Sequence, residues 1–205
     1  MSGLLIRALA VAAALVCGQA HAVALIDNLA QPTRDVTKID SALWAAQSFI
    51  TDAAVSRLNG IDILAGRRVG DPVQFAALYS DAGAGPDTLL SSFSIAIGSG
   101  PLALTSLLPA VQLVLAPATA YWLVIGASDL GSLGWAYAEG NAFSGTGSFG
   151  GYRYSDDLGV SWGAAGTDNP YQMAVNVTAV PEPADWALMA TGLLALSCRR
   201  WRQGR

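Results

Sequence analysis

The sequence predicts an all-β protein, an antiparallel β-sandwich of jelly-roll type, and three observations support this prediction. Apolar runs of four to nine residues alternate with clusters of glycine, aspartate, proline and serine, as in short strands joined by turns. Between residues 23 and 181, aspartate outnumbers glutamate twelve to one, and aspartate favours turns whereas glutamate favours helix surfaces. No segment of this region keeps a helical period for more than about two turns. About 158 residues without a linker indicate one domain.

Ten strands are predicted along the chain. They cover residues 47–51, 58–64, 73–80, 89–97, 102–108, 111–115, 120–127, 134–139, 151–155 and 172–177. Breaks containing glycine or proline separate them, for example at Gly66, at residues 70–72 and at residues 140–150. Residues 41–46 are compatible with one turn of helix.

Alternation of apolar and polar residues assigns the strand faces. In the strand 73–80, the four residues Val73, Phe75, Ala77 and Tyr79 share the predicted core face, and Gln74 points away. The strand 120–127 is apolar on both faces, which predicts a central position in a sheet. In the last strand the core face is formed by Met173, Val175 and Val177.

Residues 1–22 have the layout of a secretory signal peptide. A single charge is followed by an apolar stretch, and Ala20-His21-Ala22 supplies the small residues before a signal peptidase cut at Val23. Cys17 offers a lipoprotein alternative, although the residue before it is bulkier than the usual lipobox accepts. The interpretation is export, with residues 23–179 forming the extracellular domain.

Residues 180–205 form a predicted sorting and anchor segment. A Pro-Glu-Pro signature precedes a short apolar run, residues 186–198, which ends in arginines. This order resembles the PEP-CTERM sorting tail of exported bacterial proteins, and the matching residues are Val180, Pro181, Glu182, Pro183, Arg199, Arg200 and Arg202. Asp185 departs from the small or hydroxylated residue usual in the family, and the run is shorter than the about 20 residues of a full span. The arginines favour a short membrane helix with a cytoplasmic end over the alternative, a buried core helix or a frayed terminus.

The resemblance implies a route and a partner. An exosortase-type membrane protease or transpeptidase would cut near Pro181-Glu-Pro183 after transient anchoring in the inner membrane. The protein would then reach the cell surface or the extracellular matrix.

Composition excludes several mechanisms for the extracellular domain. The only histidine, His21, and Cys17 lie in the signal peptide, and the other cysteine, Cys198, lies in the tail. The domain therefore has no imidazole base, thiol nucleophile or disulfide, and Ser-His-Asp catalysis is excluded. A retaining glycosidase needs two carboxylates about 5 Å apart in a cleft, and only Glu139 is a nominee. We expect no catalysis and no cofactor.

The charge balance disfavours nucleic acid as a partner. The segment between residues 23 and 181 has thirteen acidic and six basic residues, a net charge of −7. Such a surface repels phosphate backbones.

Two turns carry weak candidates for calcium binding, namely Asp81 and Asp87 in one turn and Asp156 in the other. Calcium takes six to eight oxygen ligands, and turns supply carbonyl oxygens. The alternative is that these aspartates only form hairpin turns. Asp156 and Asp157 are adjacent, so in a strand they would face opposite sides.

Five aromatic residues are candidates for carbohydrate binding, namely Trp135, Tyr137, Tyr152, Tyr154 and Trp162. The first two are two residues apart, as are the next two, so each pair shares a strand face. Aromatic rings on a sheet face can stack on sugar rings. The alternative is that the same rings fill the core.

The body of the chain has a series of motifs that suggest a resemblance over residues 27–178. They are Ala46-Gln-Ser-Phe49, Leu78-Tyr-Ser-Asp81, Tyr121-Trp-Leu-Val124, Gly150-Gly-Tyr-Arg-Tyr154 and Pro170-Tyr-Gln172. In this order they resemble a choice-of-anchor extracellular domain, of type R. The resemblance implies a β-sandwich without established catalysis, and no functional residue is carried over from it.

Three functions remain in order of preference. The first is a structural component of a biofilm or exopolysaccharide matrix, the second is a carbohydrate-binding module, and the third is a hydrolase. Exposure of the aromatic side chains distinguishes the first two, because a buried ring cannot stack on a sugar.

Overall fold

The computed structural model describes residues 22–180 except residues 84, 129 and 165. These residues form an all-β structure, which confirms the predicted class. The predicted signal peptide, apart from Ala22, and the predicted sorting and anchor segment at residues 180–205, apart from Val180, lie outside the described residues. In the described part of the chain, no helix has the length and apolarity needed to cross a membrane.

Twelve strands make up the described part of the chain. They are β1 (Ala22–Asp27), β2 (Thr33–Ile39), β3 (Trp44–Ile50), β4 (Ser56–Gly70), β5 (Gln74–Asp81), β6 (Pro86–Ser94), β7 (Ala103–Pro109), β8 (Leu113–Leu115), β9 (Ala120–Ala127), β10 (Gly131–Ala138), β11 (Ser148–Ser155) and β12 (Met173–Ala179).

The strands form an antiparallel sheet that nearly closes on itself. The order is β1-β12-β4-β7-β6-β5-β9-β3-β11, while β10 pairs with β2 and β4, and β8 pairs with β4. The link between β6 and β7 is short, because only Phe93 and Ser94 pair across it. At the two ends, the segment before β11 bonds to β1: Asp27 and Ser144 exchange backbone hydrogen bonds of 2.8 Å, and Gly147 N–H donates to Leu25 at 2.9 Å.

Each predicted strand overlaps an observed one, but two local predictions were wrong. Residues 44–46 belong to strand β3, so the predicted turn of helix at 41–46 is not present. Strand β4 continues through Gly66 for 15 residues. A side chain at Gly66 would lie 3.0 Å from the carbonyl oxygen of Pro101. The glycine therefore permits a close approach between segments and does not end the strand.

Strands β1 and β2 were not predicted. Within the described residues, strand β2 pairs only with β10, and it carries Arg34, Asp35 and Lys38. Charges are common on edge strands, where they hinder pairing with other chains, and they hide the apolar signal that identifies a strand.

The main core is formed by buried side chains from strands all along the near-closed sheet. Its largest fully buried side chains are Trp135, Tyr171, Phe49, Leu25, Ile26, Ile39, Leu58, Ile61, Ile63, Leu78, Leu107 and Leu115. The predicted core residues Met173, Val175 and Val177 belong to it. Strand β9 is central, between β3 and β5, as predicted.

The predicted core face of β5 was wrong. Ala76 and Leu78 point into the main core, whereas Phe75 and Tyr79 pack on the outer side of the same strand. Val73 precedes the strand and is 69% exposed. Alternation could not choose between the faces, since both carry apolar residues.

Candidate functional site

A cleft between the edge strands β2 and β11 brings together all three tyrosines among the carbohydrate-binding candidates. It has a volume of about 310 Å³. It is lined by Arg34, Val36, Thr37, Tyr137, Tyr152, Tyr154, Asp168, Asn169 and Tyr171. We refer to it as the tyrosine cleft.

Tyr171 forms the floor of the tyrosine cleft. Its ring stacks on Trp135 with centroids 4.2 Å apart. Its hydroxyl bonds to the hydroxyl of Thr37 at 2.7 Å and to that of Tyr154 at 3.2 Å. The residue is 99% covered, and its hydroxyl is held between two other residues that line the cleft.

Two buried amide side chains hold the backbone around Tyr171. Gln47 accepts a bond from its N–H at 3.0 Å. Asn28 donates to its carbonyl at 3.2 Å and accepts from the N–H of Met173 at 2.8 Å. Buried backbone groups need such partners, so the floor has one defined position.

Gln172 holds the segment before β12 through a separate set of hydrogen bonds. Its amide accepts a bond from the hydroxyl of Thr33 at 2.6 Å and donates to the carbonyl of Gln31 at 2.8 Å. Its backbone carbonyl also accepts the indole N–H of Trp135 at 3.3 Å. The segment before β12 is thus tied to the start of β2 and to β10.

The walls of the cleft come from β10 and β11. Tyr152 and Tyr154 lie on one face of β11, with ring centroids 5.6 Å apart at an interplanar angle of 60°. Tyr137 and Tyr152 each meet Tyr171 edge-on, at 6.3 Å and 6.1 Å. Edge-to-face contacts of this kind leave part of each ring uncovered.

Gly166 fixes the position of Tyr152. The two residues exchange backbone hydrogen bonds of 2.8 Å and 3.0 Å. A side chain at Gly166 would overlap the ring of Tyr152 around Cζ. The absence of a side chain at Gly166 therefore gives the ring its place along the cleft.

The charged residues of the cleft lie at its rim. Arg34 and Asp168 are exposed. Burial raises the pKa of Tyr152, and the charges of Tyr154 and Asp168 raise it further, while Arg34 opposes them. Burial also raises the pKa of Tyr171. These two phenols stay neutral at ordinary pH, and a neutral hydroxyl both donates and accepts hydrogen bonds.

The structure separates the five predicted aromatic residues. Tyr137, Tyr152 and Tyr154 meet in the tyrosine cleft. Trp135 is fully buried beneath Tyr171 and cannot stack on a sugar, which corrects its role as an exposed platform. It supports the floor instead.

Trp162 lies elsewhere, on the outer side of the strands β3, β5 and β9. We refer to this region as the tryptophan face, which consists of Trp44, Phe75, Tyr79, Trp122 and Trp162 packed on Ala46 and Val124. Trp44 stacks on Phe75 with centroids 4.9 Å apart. The indole N–H of Trp122 donates to Asp81 at 2.7 Å, and the guanidinium of Arg153 lies 5.8 Å from its ring centroid.

A loop after β11 covers part of the tryptophan face, and Asp157 shapes this loop. Its carboxylate accepts bonds from the N–H of Ser161 at 2.8 Å and from the hydroxyl of Ser155 at 2.8 Å. The bonds from Ser161, followed by that from Ser155, lower the pKa of Asp157 to about 2. Gly159 is thereby held close to the ring of Trp44, where an added side chain would lie 3.3 Å away.

The three calcium candidates do not come together. Asp81 bonds to Trp122, and Asp87 accepts a bond from the hydroxyl of Thr88 at 2.9 Å. Asp156 is exposed, whereas its neighbour Asp157 organises the loop. Among the described residues, no group of three or more carboxylate, histidine or cysteine side chains is close enough to hold a metal ion.

Several residues of the cleft were missed by the sequence analysis. These are Arg34, Val36, Thr37, Asp168, Asn169 and Tyr171. Tyr171 was noted only as the middle residue of Pro170-Tyr-Gln172, and its alternation with Met173 and Val175 is the signal that could have placed it in the core. Its ring is buried, and only the fold places its hydroxyl beside the residues of the cleft.

The comparisons with known proteins assign no family: no family profile matches the chain, and no curated protein matches it significantly in sequence.

Proposed function

We propose that this protein is an exported, non-enzymatic module that binds polysaccharide in a cell-surface or extracellular matrix through the tyrosine cleft. The observation that carries the proposal is the convergence of Tyr137, Tyr152 and Tyr154 in one open cleft with a charged rim. The proposal joins two sequence-based expectations, a matrix component and a carbohydrate-binding module.

The chemistry of the cleft suits a polyhydroxylated ligand. Partly covered tyrosine rings offer apolar faces and edges to the C–H groups of a sugar, and their hydroxyls bond to sugar hydroxyls. Its volume of about 310 Å³ lies at the small end of ligand pockets, which suits one or two units of a longer chain. Weak binding per site is sufficient for a matrix protein, because many copies act on one polymer.

The fold and sorting of the protein form the second part of the proposal. The near-closed antiparallel sheet is a β-sandwich of jelly-roll type, as in choice-of-anchor domains. Signal peptidase removes residues 1–22, and residues 180–205 act as a PEP-CTERM tail that anchors the protein transiently in the inner membrane. An exosortase-type enzyme then releases it to the surface or matrix. Support comes from the order of the Pro-Glu-Pro signature, apolar run and arginines in the sequence.

Affinity electrophoresis in gels containing the exopolysaccharide of the host tests the binding. We expect the polysaccharide to retard the wild type, and to retard a Tyr137→Ala, Tyr152→Ala double variant much less. Trp162→Ala is the matched control, because it removes an aromatic ring from the tryptophan face. Equal mobility of the wild type with and without polysaccharide contradicts the proposal.

Processing in a host with the sorting machinery tests the tail. We expect the wild type to be shortened and delivered to the surface, whereas a variant with Pro181, Glu182 and Pro183 changed to alanine stays unprocessed. A wild type that remains soluble in the periplasm at its unprocessed length would refute the sorting route and leave the binding proposal intact.

A further inference from the structure

A second depression adjoins the tyrosine cleft. It has a volume of about 580 Å³. Its lining consists of Val36, the β4 segment 66–70 and residues 99–102. Val36 also lines the tyrosine cleft, so the two depressions meet at this residue on strand β2.

A third depression, of about 290 Å³, continues the series. It shares Val69 with the second one and includes Lys38, Asp40 and Gly131. We refer to these three neighbouring depressions, which share Val36 and Val69 as lining residues, as the basic track. Four of the six basic residues between positions 23 and 181 line it: Arg34, Lys38, Arg67 and Arg68. Residues 23–181 have a net charge of −7, and most of their basic residues lie along the basic track.

The four cations differ in their pairing. Lys38 forms an ion pair of 2.6 Å with Asp40 and lowers the pKa of that carboxyl, and Arg67 pairs with Asp71. Arg34 and Arg68 form no ion pair with any carboxylate of the described residues. A ligand can therefore pair with Arg34 and Arg68 without displacing a carboxylate of the described residues.

The position of Arg68 is defined by its neighbours. Its side chain crosses β10 at Gly134, where an added Cβ would lie 3.1 Å from its Cδ and 2.6 Å from Cγ1 of Val36. Its guanidinium reaches the carbonyl oxygen of Val36 at 3.5 Å, a long contact that leaves most of its donors unused. Arg68 therefore lies in the second depression, beside Val36, the residue that this depression shares with the tyrosine cleft.

We propose that the basic track binds an acidic polysaccharide, one that carries uronate carboxylates. This inference rests on the proposed function and specifies the ligand of the same site. One sugar occupies the tyrosine cleft, and carboxylates further along the chain accept hydrogen bonds from Arg34 and Arg68. The guanidinium fork matches a carboxylate in geometry. The carboxylates of Asp35 and Asp168 disfavour other placements of the ligand, so the charge pattern sets its register along the track.

Polygalacturonate and its fully methyl-esterified form are a matched pair of probes, since they differ in charge and share the backbone. We would measure their binding to the full-length protein by affinity electrophoresis and calorimetry. We expect the acid form to bind about fivefold to tenfold more tightly at low salt, as for two solvent-accessible ion pairs, and the difference to shrink as salt increases. An Arg34→Gln, Arg68→Gln variant should bind both probes equally.

Two variants separate the outcomes. Arg57→Gln removes an exposed arginine from the opposite end of β4 and should keep the preference for the acid form. Tyr137→Ala should weaken binding of both probes. Equal binding of the two probes to the wild type overturns the acidic-ligand inference and leaves the proposed function standing. Failure of the wild type to bind either probe or the polysaccharide of the host overturns both.

Discussion

The tyrosine cleft and the tryptophan face are both clusters of aromatic residues, and they differ in the bonding of some of their polar atoms and in what covers them. On the tryptophan face, the indole N–H groups of Trp44 and Trp122 bond to Ala127 and Asp81, and the loop shaped by Asp157 covers part of the face. In the tyrosine cleft, the hydroxyls of Tyr137 and Tyr152 have no hydrogen-bond partner within the described residues.

From this difference we infer that an aromatic cluster contributes to packing when its polar groups are bonded and a loop covers it. Unused polar groups beside an open cavity make a cluster suitable for a ligand. The buried amides of Asn28 and Gln47 add a second difference, because they fix the floor of the cleft before any ligand arrives. A fixed floor lowers the entropy that binding costs.

Removing the support of the cleft floor should have the largest effect. Trp135→Ala leaves a cavity under Tyr171 and should lower the free energy of unfolding by about 3–5 kcal/mol. Trp162→Ala, in the partly exposed tryptophan face, should lower it by roughly 1–2 kcal/mol. Urea denaturation of both variants measures the difference. Equal losses would mean that the two clusters contribute alike to the core.

Breaking one buried amide contact should have the next largest effect. Gln47→Met keeps the length of the side chain but leaves the buried N–H of Tyr171 without its partner, which should cost about 1–3 kcal/mol. Gln112→Met is the control, because Gln112 is exposed. Hydrogen exchange at Tyr171 should accelerate in the first variant only. Unchanged exchange would show that the amide does not hold the floor.

Displacing one ring should affect binding more than folding. Gly166→Ala pushes the ring of Tyr152 out of place and should weaken polysaccharide binding by about tenfold, as expected for one lost aromatic contact. Gly163→Ala is the control, since its added methyl group would make only an ordinary contact, 3.4 Å from Tyr154. A wild-type affinity of Gly166→Ala would exclude Tyr152 from the binding surface.

High pH should destabilise the cleft through its tyrosines. The pKa values of Tyr171 and Tyr152 are raised from 10.0 by burial, so the folded state keeps them neutral while the unfolded chain ionises. This contribution is complete below pH 10 and is lost as the pH rises above it. Denaturation between pH 8 and about 11 should show the loss, and Tyr171→Phe should reduce its slope. An identical slope in that variant would assign the effect to other tyrosines.

Low pH should open the loop over the tryptophan face, and this effect should be the smallest. Because the pKa of Asp157 is lowered from 3.8 to about 2, its contribution is present above pH 3.8 and is lost as the pH falls towards 2. Limited proteolysis by pepsin should cut the loop more readily towards pH 2. Asp157→Asn should be cut at higher pH as well. A loop that resists pepsin throughout this range would mean that packing of Trp162 holds it.

The sequence predicted much of the fold because turn residues and apolar runs act locally. Ten of the twelve strands, the core face of β12 and the central place of β9 all follow from patterns within a few residues. It missed β2, whose charges suit an edge, and it chose the wrong face of β5. For the candidate site, alternation along the strands predicted Tyr152 and Tyr154 as one pair on a shared face, and Tyr137 as the partner of Trp135 in a second pair.

By itself, the sequence determined the class of fold, the excess of acid over base and the absence of histidine and cysteine between residues 23 and 181. Only the tertiary structure decided that Trp135 is buried, that Trp162 belongs to another cluster and that Tyr171 joins the cleft. The physical reason is that alternation along a strand defines two faces but not what covers each of them. Strands far apart in the chain supply that cover: β2 and β11, which form the cleft, are more than 100 residues apart.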